Sequence, residues 1–382
     1  MLATLSRPRR RRPAISKVPV SILKPLCGNE ARLYESLRSY CLLDYPSYQL
    51  VFGVADRKDP AVQVVEQLRR EFPHLEMALV ACGTRHGSNP KVSNLINMMP
   101  AARHDYLVIA DSDISVGPDY LERLVPHLAD PGVGIVTCAY QGQAVNGLWS
   151  KVGAEFINGW FTPSVFVAAL FGSREFAFGA TIALRREVLE SVGGFAALAD
   201  QLADDYRLGE LTRRRGLRTV LSEVIVSTTV GERTLPDLID HELRWLRTIR
   251  CLRPTGYGMA GISYSVPAAI VGALLSLHWF AMPWILLATL LLRVALYYAA
   301  PLAGRRSLRS IPVALAADCV LFALWCGSFM SQRVRWRNAR FEVSRDGSAV
   351  PLMFNEPVSG HAASYARNDA PVDQVISTGE LL

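Results

Sequence analysis

From residue 263 to 304 the chain reads "SYSVPAAIVGALLSLHWFAMPWILLATLLLRVALYYAAPLAG", and Arg293 is its one formally charged side chain. A second apolar run, "IPVALAADCVLFALWCGSFMS", occupies 311–331. A helix crosses the bilayer core in roughly 20 apolar residues. Two stretches of that order in succession predict a membrane region rather than the interior of a soluble domain. Hydrophobic residues make up 50% of the sequence and the mean hydropathy is +0.19, yet the excess is concentrated here, leaving a polar front half. Pro283 divides 263–300 into two pieces near the minimum spanning length, so two or three apolar segments are expected.

The net charge of +7 raises the question of nucleic acid. The arginines, however, gather at "RPRRRR" (7–12), "GRRSLR" (304–309) and "RVRWRNAR" (333–340), beside apolar segments or at a terminus. That placement suits arginine facing anionic lipid, and 7–12 reads equally as a solvated tail. With three full spans the two later patches cannot share one side of the membrane, which would make one segment re-entrant or interfacial. No soluble surface interleaves aromatic with basic residues, so nucleic-acid binding is not expected. The seven cysteines are scattered, without CxxC spacing, which argues against a zinc site or disulfide framework and fits a reducing cytosol. No secretory signal precedes the polar half, so a multi-pass protein of the cell inner membrane with a cytoplasmic front domain is expected.

From 18 to 110, β-rich and helical runs alternate. "VPVSILKPL" (18–26), "YQLVFGVAD" (48–56), "MALVAC" (77–82) and "DYLVIADSD" read as strands; 29–43, 61–72 and the segment around "KVSNLINMMPAA" read as helices. This order predicts an α/β domain with a parallel, doubly wound sheet, whose ligands bind beyond the carboxyl ends of the strands. Acids stand at two such ends: Asp56, and the pair Asp111 and Asp113. "NGWFTPSVFVAALFG" (158–172) is too short and interrupted to span and reads as core or as an interfacial segment. The end of the polar stretch after 341 lacks periodicity and is expected to be unstructured.

A D-x-D at a strand end suits a hard divalent cation, Mg²⁺ or Mn²⁺, although loop capping also produces the pattern. "QLADDY" (201–206) reads either as an acidic helix start or as an acid that a glycine turn brings to the site as a general base. In "HELRWLRTIRCLRP", Arg244, Arg247, Arg250 and Arg253 fall on one helix face. That stripe fits lipid phosphates or a diphosphate.

Taken together, "VSILKPLCGNE", "DYPSYQLVFGVADRKDPA", "NPKVSNL", "IADSDISVGPDYL", "FAFGATIALRREVLESVGGF", "LADDYRLGE" and "HELRWLRTIR" resemble the processive-type inverting glycosyltransferases. More closely they are similar to the ceramide glucosyltransferase family and its bacterial relatives associated with hopanoid biosynthesis. The likeness spans about 18 to 255 and rests on the order D, DxD, D, (Q/R)xxRW. It implies a GT-A type nucleotide-diphospho-sugar transferase domain followed by C-terminal transmembrane helices. It also implies Asp56 at the uracil of a UDP-sugar, Lys91 near the donor, and Asp111 and Asp113 at the diphosphate and its metal. Asp205 becomes the base that deprotonates the acceptor hydroxyl, and Arg244 with Trp245 becomes the pair beside the diphosphate and acceptor entrance. Gly179, Ala180 and Thr181 fall near the acceptor pocket. His241 departs from the family's Gln or Arg. Members usually begin with a transmembrane helix, whereas this chain starts at "MLATLSRPRRRRPAISK", so either the start is late or the C-terminal segments alone hold the membrane.

The expected organisation is a basic tail (1–17), a glycosyltransferase domain (18–255), a membrane region (256–340) and a polar tail (341–382). The expected activity is inverting transfer of a hexose, from UDP-glucose or UDP-N-acetylglucosamine, to the hydroxyl of a membrane lipid, giving a β-glycolipid. The acceptor is expected to be ceramide or a hopanoid polyol, the latter branch being the more similar at "FAFGATIALRR" and "HELRWLRTIR". A processive polysaccharide synthase and a non-catalytic nucleotide-sugar-binding membrane protein are the competing expectations. The first usually carries more spans, and the second has no need of Asp205 or the DxD.

Overall fold

The computed structural model describes residues 17–173, 176–275, 280, 282–299, 310–336, 339–344, 347–352 and 375–376. The arginine patches at 7–12 and 304–309, and most of the expected tail, lie outside the described residues. The polar half runs β1 (Val20–Pro25), α1 (Leu33–Cys41), β2 (Tyr48–Val54), α2 (Ala61–Glu71), β3 (Glu76–Ala81), α3 (Pro90–Met98), β4 (Tyr106–Ile109), β5 (Ile114–Ser115), α4 (Tyr120–Leu124) and β6 (Val133–Ala144). It continues with α5 (Leu148–Phe156), a π-helical turn (Ile157–Phe161), α6 (Thr162–Leu170), β7 (Ile182–Arg185), α7 (Arg186–Ser191), α8 (Asp204–Arg214), β8 (Arg218–Val230) and α9 (Leu235–Leu252). The apolar part holds α10 (Pro254–Met259), α11 (Ser265–Leu275), α12 (Met282–Ala299) and α13 (Ile311–Ser328). After it come β9 (Arg333–Trp336), β10 (Ala339–Val343), β11 (Ala349–Pro351) and β12 (Val375–Ile376).

Among the described residues one nine-stranded sheet, ordered β12-β3-β2-β1-β4-β7-β6-β8-β5, forms the core. β1 is buried along its whole length, as expected of a central strand covered on both faces. Its residues alternate sides. Val20 and Ile22 pack with α1, α2 and α4, and Leu23 packs with α3 and α7 on the other face. Gly53 lets α3 approach β2: a Cβ there would lie 2.3 Å from Asn94 Oδ1, whose amide Nδ2 donates to Gly53 O at 2.8 Å.

The sheet is mixed, which corrects the expectation of a parallel one. β3, β2, β1 and β4 run parallel, but β7 is antiparallel to both β4 and β6. The cause is the route of the chain. β6 climbs to the same edge as the carboxyl end of β4, α5 to α6 lie beyond that edge, and the chain re-enters the sheet from there as β7. This returns Phe178–Thr181 to the edge where Asp111 sits.

The segment 158–172 belongs to a helix broken by the π-turn. Phe161 and Val165 lie in the main core, while Val167, Leu170 and Phe171 are exposed. The segment is therefore core on one side and bare apolar surface on the other. At the start of the polar stretch β10 and β11 form a small sheet with β9, and near its end β12 pairs with β3, against the expectation that this end is unstructured. "RVRW" is a strand of that small sheet, with Arg335 paired to Asp240 on α9, rather than a lipid-facing arginine cluster. Of the expected apolar segments, α13 alone among the described helices is long and apolar enough to cross a membrane by itself. The helical stretches 254–263 and 265–275 pass together only as a pair bent by 73°, and α12 is shorter in its apolar run.

Candidate active site

The loop Asp111-Ser112-Asp113 leaves the carboxyl end of β4 beside β1, and β1 holds it. Lys24, fully buried near the end of β1, donates to the Asp111 carbonyl and lies 3.5 Å from the Ile114 carbonyl and 4.1 Å from the centre of the Tyr40 ring. Ser112 donates its hydroxyl to Glu30, just after β1, and Thr228 of β8 donates to Asp113 Oδ2. Burial pushes the Lys24 ammonium down to about 7, against the pull of Asp113, Asp111 and Glu30. Burial pushes Glu30 up to about 7 despite the Ser112 hydrogen bond. Asp113 is raised by burial and by the Asp111 charge.

Two other elements converge on this loop. Asn89 caps α3 by accepting from Val92 N at 3.1 Å, with Pro90 in the first turn. The same Asn89 donates to Gln201 O at 2.7 Å and ties the start of α3 to the loop before α8. Lys91 on α3 therefore reaches both motifs, 2.7 Å from Asp111 Oδ1 and 3.2 Å from Asp204 Oδ2. Burial alone would lower its pKa, but Asp111, Asp204 and Asp205 raise it and keep it charged. Asp205 Oδ2 accepts from Gly179 N at 2.8 Å, and its Oδ1 accepts from Tyr206 N at 2.7 Å. Burial and then Asp204 push the Asp205 carboxyl up to about 6, against Lys91 and the two backbone donors. Asp204 is raised chiefly by burial.

Gly179 sits where these groups meet. A Cβ built on it would lie 3.1 Å from Asp111 Oδ2, 3.4 Å from Asp205 Oδ2 and 3.4 Å from Lys91 Nζ. The DxD, the candidate base and the lysine thus surround one backbone position. Ala180 and Thr181 follow it into β7, with Thr181 Oγ1 3.1 Å from the Tyr120 hydroxyl.

α9 begins with a capping box, Thr234 accepting from Asp237 N while the Asp237 carboxylate accepts from Thr234 N. Burial lowers Arg244 on this helix, while the charges of Glu242, Asp111, Asp113 and Asp205 favour its charged form. Trp245 packs edge-on to Phe161, 6.2 Å between ring centres. The expected four-arginine stripe does not act as one surface. Arg247 donates to Arg333 O, Arg250 donates to Ser331 O at 2.8 Å, and Arg253 donates to the Tyr206 hydroxyl at 2.7 Å. Three of the four thus join α9 to the polypeptide around it. His241, which departs from the family's Gln or Arg, is hydrogen-bonded through Nδ1 to Glu232.

Asp56 stands at the carboxyl end of β2, exposed, and its Oδ1 accepts from Lys58 N at 2.9 Å. β2, β1 and β4 are parallel neighbours in register, so Asp56 lies on the same sheet edge as Asp111. Sequence reading missed Lys24, Glu30, Thr228 and Glu242. Lys24 had a signal, a lysine inside the apolar run "VSILKP"; the others had none.

No group of three His, Cys, Asp or Glu side chains that would cage a metal exists among the described residues. Asp111 and Asp113 nevertheless present an oxygen-only pair, the donor set with which Mg²⁺ or Mn²⁺ binds when substrate phosphates and water complete the shell. With Asp204 and Asp205 also close to Lys91, the cluster supplies carboxylate oxygens around one cation, a setting that fits a divalent ion with an anionic ligand.

The ceramide glucosyltransferase 3 of Caenorhabditis elegans is 22% identical over 355 residues, covering 87% of this chain and 74% of that protein. The ceramide glucosyltransferase of Komagataella phaffii is 34% identical over 114 residues, 28% of this chain and 22% of that protein. A beta-monoglucosyldiacylglycerol synthase of Synechocystis is 27% identical over 211 residues, 54% of this chain and 42% of that protein. Of the latter two proteins, the chain spans less than half the length. Among solved structures, a mannosyltransferase of Pyrobaculum calidifontis in complex with GDP-Man and Mn²⁺ superposes with a TM-score of 0.49 at 22% identity, covering 82% of this chain and 87% of that one. The profile of glycosyl transferase family 21 matches residues 1–349, which carry β1 to β10, the acid loop, Asp205 and the Arg244-Trp245 pair, and the chain belongs to that family.

Proposed function

We propose that this glycosyltransferase transfers a hexose from a UDP-sugar to the hydroxyl of a membrane lipid, with inversion. The observation that carries the reading is the convergence of Asp111, Lys91 and Asp205 around Gly179. We assign the acid pair to the donor and Asp205 to the acceptor, both at this one position. Asp111 and Asp113 would hold Mg²⁺ or Mn²⁺, which when bound supplies charge neutralisation for the departing diphosphate. Lys91 and Arg244 add positive charge on that side, Arg244 with a fork suited to phosphate oxygens. Asp56, on the same sheet edge, is assigned to the uracil.

Asp205 accepts the proton of the acceptor hydroxyl as its oxygen bonds to the anomeric carbon. The bond from that carbon to the diphosphate breaks, and UDP leaves with the electron pair. No second carboxylate is needed, because the leaving group departs unprotonated. Backside attack turns an α-linked donor into a β-glycoside. Trp245 and Phe161 are assigned to the acceptor entrance, where α6 presents Val167, Leu170 and Phe171 as bare apolar surface.

The membrane reading rests on α13, the bent pair before it, and these exposed side chains. We place the catalytic domain on the cytoplasmic side of a multi-pass protein. The acceptor is ceramide or a hopanoid polyol, and the donor UDP-glucose or UDP-N-acetylglucosamine. A labelled-sugar transfer assay on membranes tests this, offering ceramide, bacteriohopanetetrol and diacylglycerol, each with either donor, with and without Mn²⁺. A metal-dependent glycolipid from one pair supports the reading and names both substrates. UDP-sugar binding without product from any pair overturns the lipid acceptors proposed.

A further inference from the structure

Among the described residues of the apolar helices a buried ion pair stands out, and it points at the catalytic domain. Arg293 of α12 lies 3.1 Å from Asp318 Oδ1 of α13, and Asp318 is 1% exposed. Asp318 Oδ2 also accepts from Val266 N at the start of α11, at 3.0 Å. Three apolar helices are therefore joined at one carboxylate. The second arm of Arg293 leaves them: its NH1 donates to Gly159 O at 3.0 Å, inside the π-helical turn. The contact is close: a Cβ on Gly159 would lie 3.3 Å from both Arg293 Nη2 and Glu155 Oε2.

Charged groups among apolar helices cost free energy and are kept where they do something. A π-turn inside an α-helix is another local irregularity that recurs at functional sites. Here the two coincide. Successive residues of the turn serve different neighbours. Asn158 clasps the backbone of Gly142 on β6 from both sides, accepting at 2.8 Å and donating at 2.9 Å. Gly159 receives Arg293. Trp160 donates to Ser263 and lies stacked with Phe156 (5.1 Å) and Tyr264 (5.7 Å) on the apolar-helix side. Phe161 packs on the catalytic side against Phe178, next to Gly179, and against Trp245.

We propose that the Arg293–Asp318 pair is a positioning device: through Gly159 it fixes the apolar helices against the π-turn and so sets where a membrane-held acceptor meets Asp205. The proposal rests on the lipid-acceptor reading above for its effect on activity, but not for the mechanical link. Arg293 and Asp318 touch none of the donor-side residues, so the donor site should not sense their loss. An ion pair kept only for folding is replaceable by packed apolar side chains, often without cost. A positioning pair is not, because only Arg293 reaches the Gly159 carbonyl.

The test uses the full chain in nanodiscs with four variants, Arg293→Met, Arg293→Lys, Asp318→Asn and the double variant Arg293→Met/Asp318→Leu. We expect the double variant to be as stable as the wild type. It should raise the apparent KM for ceramide or bacteriohopanetetrol at least tenfold while leaving UDP-sugar affinity within twofold. Arg293→Lys should recover part of the loss. Hydrogen exchange should rise at 157–162 and 263–266 and stay unchanged at 105–116. A double variant with wild-type acceptor KM overturns the proposal, since the pair would then serve folding alone. Should the wild type use neither acceptor, the lipid reading fails separately. The exchange then decides: unchanged protection at 157–162 overturns the link, and increased protection loss there sustains it.

Discussion

Gly179 N donates to Asp205 Oδ2 across 2.8 Å, so the loop that enters β7 holds the carboxylate proposed as the base. Asn at 205 keeps an oxygen that can accept this bond but cannot take a proton from an acceptor. Asp205→Asn should therefore bind UDP-sugar with near-native affinity and lose transfer by roughly 10²–10⁴-fold, the usual worth of a positioned base. Isothermal titration and a transfer assay on one preparation separate the two effects. Native turnover in this variant would remove Asp205 from the assignment.

Gly179 is a position where a single methyl group is felt. Its added Cβ would crowd Asp111 Oδ2 at 3.1 Å, closer than most side chains tolerate. The neighbours are a charged loop fixed by Lys24, Glu30 and Thr228, which leaves little room to yield. Gly179→Ala is expected to fold, with a donor affinity at least tenfold weaker. Donor titration checks this, and native affinity would mean that the donor does not approach the glycine.

The Asp205 carboxyl, pushed up to about 6 by burial and Asp204, sets the acid limb of activity. The base works deprotonated, so kcat/KM should fall about tenfold per pH unit below 6. Stability runs the other way for this group. Between the ordinary carboxylate range and about 6 the folded chain holds a proton that the unfolded chain has released, so this contribution to stability declines as pH rises through that window. A rate profile from pH 4.5 to 8 is the check. A limb centred near 4 would point to another base.

The alternation of strands and helices up to Asp111 was legible because parallel central strands are continuous apolar runs and their helices are amphipathic. The antiparallel β7 was not: four residues, "IALR", carry no sign of direction, and only the route of the chain from β6 through α6 imposes it. In the candidate site, the motif order drew attention to Asp111, Asp113 and Asp205, and the structure brings Asp111 and Asp205 together at Gly179. The union of Lys91 with both motifs depends on Asn89 bonding Gln201, a contact between residues 112 positions apart, which no local pattern encodes. The arginine stripe misled for a related reason. Helical spacing shows which residues share a face, but not that β9 and Tyr206 would occupy most of it.

Lys24 and Asp113 address the same loop and should fail differently. Asp113→Ala removes a proposed metal oxygen and the partner of Thr228, so both donor binding and transfer should be lost. Lys24→Met keeps the length of the side chain but leaves the Asp111 carbonyl without its donor. The loop should loosen, with the Mn²⁺ concentration for half-maximal donor binding rising severalfold while saturating Mn²⁺ restores turnover. If excess Mn²⁺ restores nothing, Lys24 holds more than the loop.

Glu242 offers a prediction in which function should not change. It is 3% exposed, its Oε2 has no hydrogen-bond partner, and burial followed by the Glu232 charge raises its pKa well above the ordinary range. Burial thus favours the protonated form in the folded chain, the form that glutamine mimics. As pH rises from about 5, the unfolded chain releases this proton first and the folded chain retains it, so the wild type loses stability while Glu242→Gln does not. The advantage of the variant should widen by at most about 1.4 kcal/mol per pH unit until the folded group itself ionises. Denaturant midpoints of both proteins at pH 5, 6, 7 and 8 give the slope directly. Transfer should persist in Glu242→Gln, because the charges of Asp111, Asp113 and Asp205 still favour the charged form of Arg244. A variant that gains no stability at high pH would show that Glu242 is charged in the fold and that its pairing with Arg244 holds the site together.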